Sequence, residues 1–110
     1  RVTAAVDCGR MINPDLVRQQ IEGAIVFALG AATGGALTVT GGVADQRDFA
    51  ALGLPRLARS PDIIVELIAS DEAPGGVGEL GVPPLAPALA NALFSATGHR
   101  LRRLPMRITT

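Results

Sequence analysis

The sequence has little or none of several residue types, and each shortage excludes a class of protein. Trp and Tyr are absent and aromatic residues make up only 3% of the 110 residues, so a core must be built from Ala, Val, Ile and Leu. Cys8 is the only cysteine, which excludes an internal disulfide and a cysteine-rich zinc site. His99 is the only histidine, and it stands among arginines near the C-terminus. A Ser/His/Asp triad is therefore not credible, and we expect His99 to be solvated.

Net charge and long apolar runs are also missing. Ten basic and ten acidic residues give a formal net charge of zero, so the chain lacks the basic surface of a dedicated nucleic-acid binder. We expect the one basic cluster, HRLRRLPMR, to be a solvated segment. The longest nearly uninterrupted apolar run, residues 23–32, is about half of the roughly 20 residues that a membrane-spanning helix needs. The sequence therefore predicts no membrane span and no nucleic-acid partner.

The composition that remains is that of a folded domain. Hydrophobic residues make up 48% of the chain and no low-complexity tract interrupts it, so we expect one domain, residues 1–110, with a single core. The chain starts at Arg1 without an initiator Met, and RVTAAVD already has the pattern of a strand. We expect it to be the end of a longer polypeptide.

The first half of the chain has the signals of a strand, a helix and a hairpin. Residues 2–6 suit a strand, and Asn13 is placed to cap a helix that starts with Pro14 and stops at the glycines that follow residue 33. The segment ALTVTGGVADQRDF predicts a hairpin with its turn at Gly41-Gly42. Apolar residues recur along the helix at helical spacing: Val17, Ile21, Ala24, Ile25, Ala28 and Leu29.

The second half predicts a loop, a strand and a second helix. Residues 50–61 have no clean period and are expected to form a connecting loop, whereas DIIVELIAS is apolar on both faces and predicts a strand that is covered on both sides. LAPALANALFSATG predicts a helix that ends at Gly98. Without a regular βαβ alternation, these elements indicate the α+β class, with two main helices packed on a small mixed sheet.

One carboxylate, Glu79, stands among four glycines in GGVGELG, directly before the second helix. The glycines would allow main chain to approach a ligand, and apolar neighbours would partly bury the carboxylate, raise its pKa and suit it to general-base chemistry. An exposed loop acid in an ordinary glycine-rich turn explains the same pattern, and from pattern alone it is favoured. The loop matches neither phosphate-binding fingerprint, GxxxxGK[ST] or GxGxxG.

Gln20, on the first helix just before Gly23, is a second candidate. A glycine inside a helix costs roughly 1 kcal/mol relative to Ala, so we expect backbone or a ligand to pass close to Gly23. The Gln20 amide could then contact a polar cofactor, but a solvated helix face explains the residue as well and, from pattern alone, is favoured. Asn13 is adequately explained by helix capping.

Three separated segments occur in a fixed order along the chain: VDCGRMINPDLVRQQIEGAIVFALG, SPDIIVELIASDEAPGGVGELGVPPLAPALANALFSATG and RLRRLP. Together they resemble the C-terminal part of the molybdopterin-binding large subunit of the xanthine dehydrogenase/aldehyde oxidase family, closest to the isoquinoline 1-oxidoreductase beta-subunit type. The resemblance covers almost the whole chain. It implies that the chain is a C-terminal fragment of a molybdopterin-binding domain.

The resemblance also implies an activity, cofactors and partners. Members of this family are molybdenum hydroxylases, oxidoreductases that hydroxylate an aldehyde or N-heteroaromatic carbon with oxygen drawn from water. The implied cofactor of the complete enzyme is molybdopterin cytosine dinucleotide with molybdenum, and electrons would leave through 2Fe-2S clusters on a partner subunit or domain. The implied partners are the remainder of the molybdopterin subunit, an iron–sulfur subunit and a small aldehyde or N-heterocycle. The compartment, bacterial cytoplasm or periplasm, stays open.

The residue roles that the resemblance implies fall on two of the quoted motifs. The glutamate of the Gly-Val-Gly-Glu motif is Glu79 and would be the general base. The glutamine of the Gln-x-Glu-Gly motif matches Gln20. No residue is assigned as a metal ligand. The cofactor-contact candidates are Gln20, Asn13, Gly75, Gly76, Val77 and Gly78.

The chain also departs from the family pattern. Related sequences often carry Asn-Phe-x-Asp-Tyr, whereas this chain keeps Phe49 but has Ala51 and Leu52 in place of the Asp and Tyr. The family's other cofactor-binding loops are absent from the chain, so alone it should not hold the cofactor, and its exposed apolar surfaces could make it self-associate. The alternative is a standalone, non-catalytic structural or interaction module that kept the fold.

Overall fold

A computed structural model of the chain describes residues 1–107. Its α+β architecture confirms the predicted class. A short 3₁₀ turn, Leu57–Arg59, lies within the predicted connecting loop. The remaining elements are β1 (Val2–Val6), α1 (Pro14–Thr33), β2 (Val39–Thr40), β3 (Val43–Ala44), β4 (Ile63–Leu67) and α2 (Val82–Thr97).

The four strands form two separate pairs, and this differs from the single mixed sheet expected from the sequence. β1 and β4 run parallel, with Ala4 opposite Val65. β2 and β3 form a two-residue hairpin, in which Gly41 and Gly42 have φ values of 59° and 80°. These positive angles are those of a type I′ turn, which glycine adopts without strain. Because this tight turn joins β2 directly to β3, the two strands pair with each other and form a sheet separate from β1 and β4.

α1 begins and ends where the sequence predicts. The Asn13 side chain accepts hydrogen bonds from the backbone N–H groups of Asp15 and Leu16, both at 3.1 Å, and Pro14 occupies the first turn. These two bonds satisfy donors that have no acceptor within the helix. At the other end, the N–H groups of Gly34 and Gly35 donate to the Gly30 carbonyl, at 3.0 and 2.7 Å, and close the helix.

α2 begins at Val82, three residues before the start expected from the sequence. Pro83 and Pro84 fall in its first turn, where the missing N–H groups would have had no partner in the helix anyway. The helix ends at Gly98, which has φ 75° and donates its N–H to the Phe94 carbonyl, as predicted. No helix within residues 1–107 is long and apolar enough to cross a membrane.

The core lies between one face of the β1–β4 pair and the two helices. α1 supplies most of it, with Ile21 and Ile25 almost fully buried, whereas Leu85 is the only fully buried residue of α2. Small residues let these layers approach closely. The buried residues that form one cluster are Val6, Cys8, Ile21, Ile25, Ala28, Val65 and Leu85.

The opposite face of the parallel pair is uncovered, which corrects the expectation that β4 is covered on both sides. Burial alternates along β4, with Val65 buried and Ile64 exposed, and Ile68 just beyond it is 48% exposed. The buried residues of both helices join Val6 and Val65 in one core cluster, whereas Thr3 and Ala5 on the other face are exposed, so no element of the described chain covers that face. The apolar pattern of this segment thus correctly predicted a strand, but the prediction that both of its faces are buried was wrong.

Candidate functional site

A single open cleft brings together the two principal candidates from the sequence. It lies between α1 and the loop that precedes α2, and its volume is about 670 Å³. Gln20 lies on the α1 side, and Glu79 lies on the loop side. The complete lining is Gln19, Gln20, Gly23, Ala24, Phe27, Gly78, Glu79, Val82 and Pro83. Residues of α1 and of the loop that are more than fifty positions apart in sequence thus line one cleft.

Glu79 lies three residues before α2, and its backbone carbonyl accepts the N–H of Val82 at 2.9 Å. This bond fixes the backbone at Glu79 to the first turn of the helix. The side chain is exposed, which corrects the expectation that apolar neighbours partly bury it. Val77 is half-buried and packs against the core, and Leu80 is 46% exposed, so neither neighbour covers the carboxylate. Any surface that removes water from Glu79 must be supplied from outside these residues.

Gly81 anchors the loop to α1. A Cβ atom at Gly81 would stand 2.9 Å from the Cβ of Ala24, 3.0 Å from the Ile21 carbonyl oxygen and 3.3 Å from Cγ1 of Ile25. Only a glycine lets the loop reach the helix this closely without a shift of backbone. The contact holds Glu79, two residues earlier, beside the face of α1 that carries Gln20. Of the two neighbours expected at Gly23, backbone or a ligand, backbone does not come close: the loop approaches α1 at Gly81.

Two glycines of the cleft, Gly23 and Gly78, face open space instead. A Cβ atom added to either would have no protein atom within 4 Å, and the same holds for Gly76 elsewhere on the loop. None of the glycines of the Glu79 loop has a positive φ, so conformational strain does not explain them. Their missing side chains leave room for a group that approaches the backbone of α1 and the loop. This unfilled space fits a bulky bound cofactor.

The cleft contains two side chains that the sequence reasoning did not single out. Gln19 adds a second amide beside Gln20, and Phe27 presents a ring that is 73% exposed. Phe27 lies seven residues after Gln20, two helical turns further on the same face. A search of the sequence for residues seven positions from Gln20, on the same helix face, would have identified Phe27.

The other predicted cofactor contacts do not line this cleft. Asn13 uses its side-chain oxygen to cap α1. Gly75 donates its N–H to the Cys8 carbonyl at 2.8 Å, so it joins the loop to the end of β1. Val77 packs against the core cluster, and Gly76 faces open space elsewhere on the loop. Only Gln20 and Gly78, of the predicted cofactor contacts, meet Glu79.

Residues 1–107 contain no group of three or more His, Cys, Asp or Glu side chains that could hold a metal ion. His99 is exposed and donates its backbone N–H to the Thr97 hydroxyl at 3.2 Å. A metal at the cleft would therefore have to arrive with ligands that these residues do not supply.

Comparisons with known proteins agree on one family. Residues 1–61 match the model of the molybdopterin cofactor-binding domain. The chain is 40% identical to isoquinoline 1-oxidoreductase subunit beta of Brevundimonas diminuta over 97% of its own length and 14% of that protein. It is 34% identical to an aldehyde oxidoreductase molybdenum-binding subunit of Escherichia coli (strain K12) over 98% of its length and 16% of that protein.

The fold is found in a solved structure as well. Reconstituted CO dehydrogenase from Oligotropha carboxidovorans superposes with a TM-score of 0.78, at 22% identity, over 92% of this chain and 14% of that one. The chain thus spans about one-seventh of the length of the proteins that it resembles. The resemblance read from the sequence is confirmed: the chain belongs to the molybdopterin cofactor-binding domain family.

Proposed function

We propose that the chain forms one wall of the active site of a molybdenum hydroxylase, an oxidoreductase that hydroxylates an aldehyde or N-heteroaromatic carbon with oxygen from water. The observation that carries the proposal is the meeting of Glu79 and Gln20 across one cleft, in a chain of this family. Glu79 is the general base. A carboxylate on a loop that is fixed to both α1 and α2 can take a proton from a defined position in the cleft.

The remaining cleft residues bind and orient. When bound, molybdopterin cytosine dinucleotide with molybdenum supplies the redox and Lewis-acid chemistry of the hydroxylation. The Gln20 amide, with both donors and an acceptor, holds a polar edge of that group, and Gly78 leaves it space beside the loop. Asn13, Gly75, Gly76 and Val77, which lie off the cleft, contact parts of the group that extend beyond it.

The chain completes this site only together with other protein. It covers 14% of the Brevundimonas relative, and Glu79 is exposed in this chain. The remainder of the molybdopterin subunit supplies the other walls, and 2Fe-2S clusters on a partner subunit or domain accept the electrons. The substrate is a small aldehyde or N-heterocycle that enters between this chain and the rest of the subunit.

The test is Glu79→Gln in the complete enzyme. Glutamine keeps the size of the side chain but cannot take the proton, so kcat should fall by roughly 10²–10⁴-fold while molybdenum content stays close to that of the wild type. Glu72→Gln is the matched control, because Glu72 is an exposed glutamate of the same loop that does not line the cleft. Turnover of Glu79→Gln within a few-fold of the control would reject the general-base role.

The exposure of Glu79 also favours a second candidate, a standalone structural or interaction module that kept the fold without the chemistry. This candidate predicts a native polypeptide of about this length and no molybdenum in protein purified from its source. The mass of the native polypeptide, measured together with its metal content, separates the two functions.

A further inference from the structure

β1 has an unpaired edge that lies in a groove. Its only partner among residues 1–107 is β4. The Val2 N–H donates to the Asp62 carbonyl at 2.8 Å and the Val6 carbonyl accepts the Ile68 N–H at 2.8 Å, so the even-numbered residues of β1 direct their backbone groups towards β4. Because these groups alternate in direction along a strand, Thr3 and Ala5 direct theirs to the opposite edge. That edge offers two N–H and two C=O groups in a row.

The groove beside this edge is apolar and has a volume of about 430 Å³. Besides β1, it is lined by Ile21 and Ile25 of α1 and by Pro84, Leu85 and Ala88 of α2. Asp7, at the end of the strand, is its only charged lining residue. A segment that pairs with Thr3 and Ala5 would therefore lay apolar side chains on the two helices.

α2 is itself incompletely covered by this chain. None of its 16 residues is charged, and only Leu85 is fully buried. Residues 82–90 carry no polar side chain at all, and a helix that is apolar all round is ordinarily buried on most sides. Stable proteins also cover unpaired strand edges, because such edges can pair with other chains and cause aggregation. They cover large exposed apolar surfaces for the same reason. The groove and the helix thus point to one missing neighbour.

The size of the groove indicates what kind of neighbour it is. A stable complex of independent proteins buries about 1,200–2,000 Å² in total, far more than the edge of one five-residue strand supplies. A segment of the same polypeptide needs no such area, because its tether holds it at an effective concentration of about millimolar. Relatives of this chain continue well beyond it, since it covers 14% of the Brevundimonas protein.

We propose that a strand from the remaining part of the same molybdopterin-binding subunit pairs with the free edge of β1, through Thr3 and Ala5, and covers the groove with apolar side chains. This strand extends the parallel pair to a sheet of at least three strands. The proposal rests on the proposed function only in that it places the chain within a larger subunit. It makes no use of Glu79.

Hydrogen–deuterium exchange of the intact subunit, resolved to single amides by fragmentation in the mass spectrometer, tests the pairing. The amides of Ala4 and Val6, which face β4, are the internal reference. Thr3 and Ala5 should exchange as slowly as this reference in the intact subunit and at least about tenfold faster in the 110-residue chain. The proposal would be overturned if, in the intact subunit, the amides of Thr3 and Ala5 exchange at least about tenfold faster than those of Ala4 and Val6.

Concentration separates the proposed strand from a second copy of the chain. If Thr3 and Ala5 of the isolated chain become protected as its concentration is raised, a second copy occupies the edge and the proposal is wrong. If the isolated chain does not protect even Ala4 and Val6, it does not fold alone, and the comparison within the intact subunit decides.

A pair of variants provides an independent test in the intact subunit. Ala5→Pro removes the one N–H that this residue directs to the free edge, whereas Ala5→Ser keeps it at similar size. Ala5→Pro should lower the yield of assembled, molybdenum-containing subunit several-fold and Ala5→Ser should not. Equal yields would contradict the proposal. Loss of turnover in Glu79→Gln together with unprotected Thr3 and Ala5 would reject the pairing alone, and the reverse results would reject the general base alone.

Discussion

The contact between Gly81 and α1 gives the sharpest prediction about the site. Gly81→Ala places a Cβ atom 2.9 Å from the Cβ of Ala24, closer than real Cβ atoms come, and 3.0 Å from the Ile21 carbonyl oxygen, tighter than nine in ten real contacts. The backbone on either side is held, by helix α1 on one and by the first turn of α2 on the other, so neither can yield cheaply. Overpacking of this kind costs about 1–3 kcal/mol.

A matched control lies three residues away. Gly78→Ala removes the same backbone freedom from the unfolded chain, which favours the folded state by about 0.4–1 kcal/mol, and its Cβ atom meets no protein atom within 4 Å. The difference between the two variants therefore isolates the contact with α1. Neither glycine has a positive φ, so backbone strain does not enter.

Urea unfolding of the chain, followed by circular dichroism, measures the difference. With a slope of about 2 kcal/mol per molar urea, Gly81→Ala should lower the midpoint by about 0.5–1.5 M and Gly78→Ala should leave it unchanged or slightly raised. In the complete enzyme Gly78→Ala should have an effect that urea unfolding of the chain does not show. Its methyl group fills space that the cofactor is proposed to use, so it should lower the molybdenum content. Equal midpoints for the two variants would refute the idea that Gly81 fixes the position of the Glu79 loop.

Four further predictions concern other parts of the chain. Asn13→Ala should lower the free energy of unfolding by about 1 kcal/mol, because two backbone N–H groups lose their acceptor, and urea unfolding will show it. Gly9→Ala should abolish folding by the same assay, because Gly9 has φ 74° and a Cβ atom there would collide with the Ala73 carbonyl. Gln20→Leu in the complete enzyme should weaken cofactor retention about threefold to tenfold, measured as molybdenum per subunit after dialysis. The isolated chain should self-associate in sedimentation velocity experiments, since side chains such as Phe27 are largely exposed.

Each of these has a result that would contradict it. An Asn13→Ala midpoint equal to that of wild type would mean that water caps the helix as well as the side chain does. A folded Gly9→Ala chain would show that the loop carrying Ala73 can move away. Unchanged molybdenum content in Gln20→Leu would place the cofactor away from α1, and a monomer at high concentration would show that the exposed apolar residues are too dispersed to associate.

Local elements were largely predictable because their signals are local. Asn13 and Pro14 mark the start of α1 through hydrogen bonds within a few residues, and the Gly41-Gly42 turn determines the hairpin in the same way. The sequence predicts the start of α2 three residues too late, because proline is expected before a helix, whereas the first turn of α2 contains Pro83 and Pro84. The family resemblance came from motif order, and it assigned Glu79 and Gln20 their expected roles without showing that they meet.

The sequence by itself determined the α+β class, the limits of most elements and the two residues on which the proposed chemistry depends. Only the tertiary structure decided that Glu79 and Gln20 share a cleft, that the loop approaches α1 at Gly81 and not at Gly23, and that the cap Asn13 lies away from that cleft. The physical reason is the range of the interactions. Caps and turns act between neighbours in sequence, whereas the packing of the loop on α1 depends on atoms that are about sixty residues apart.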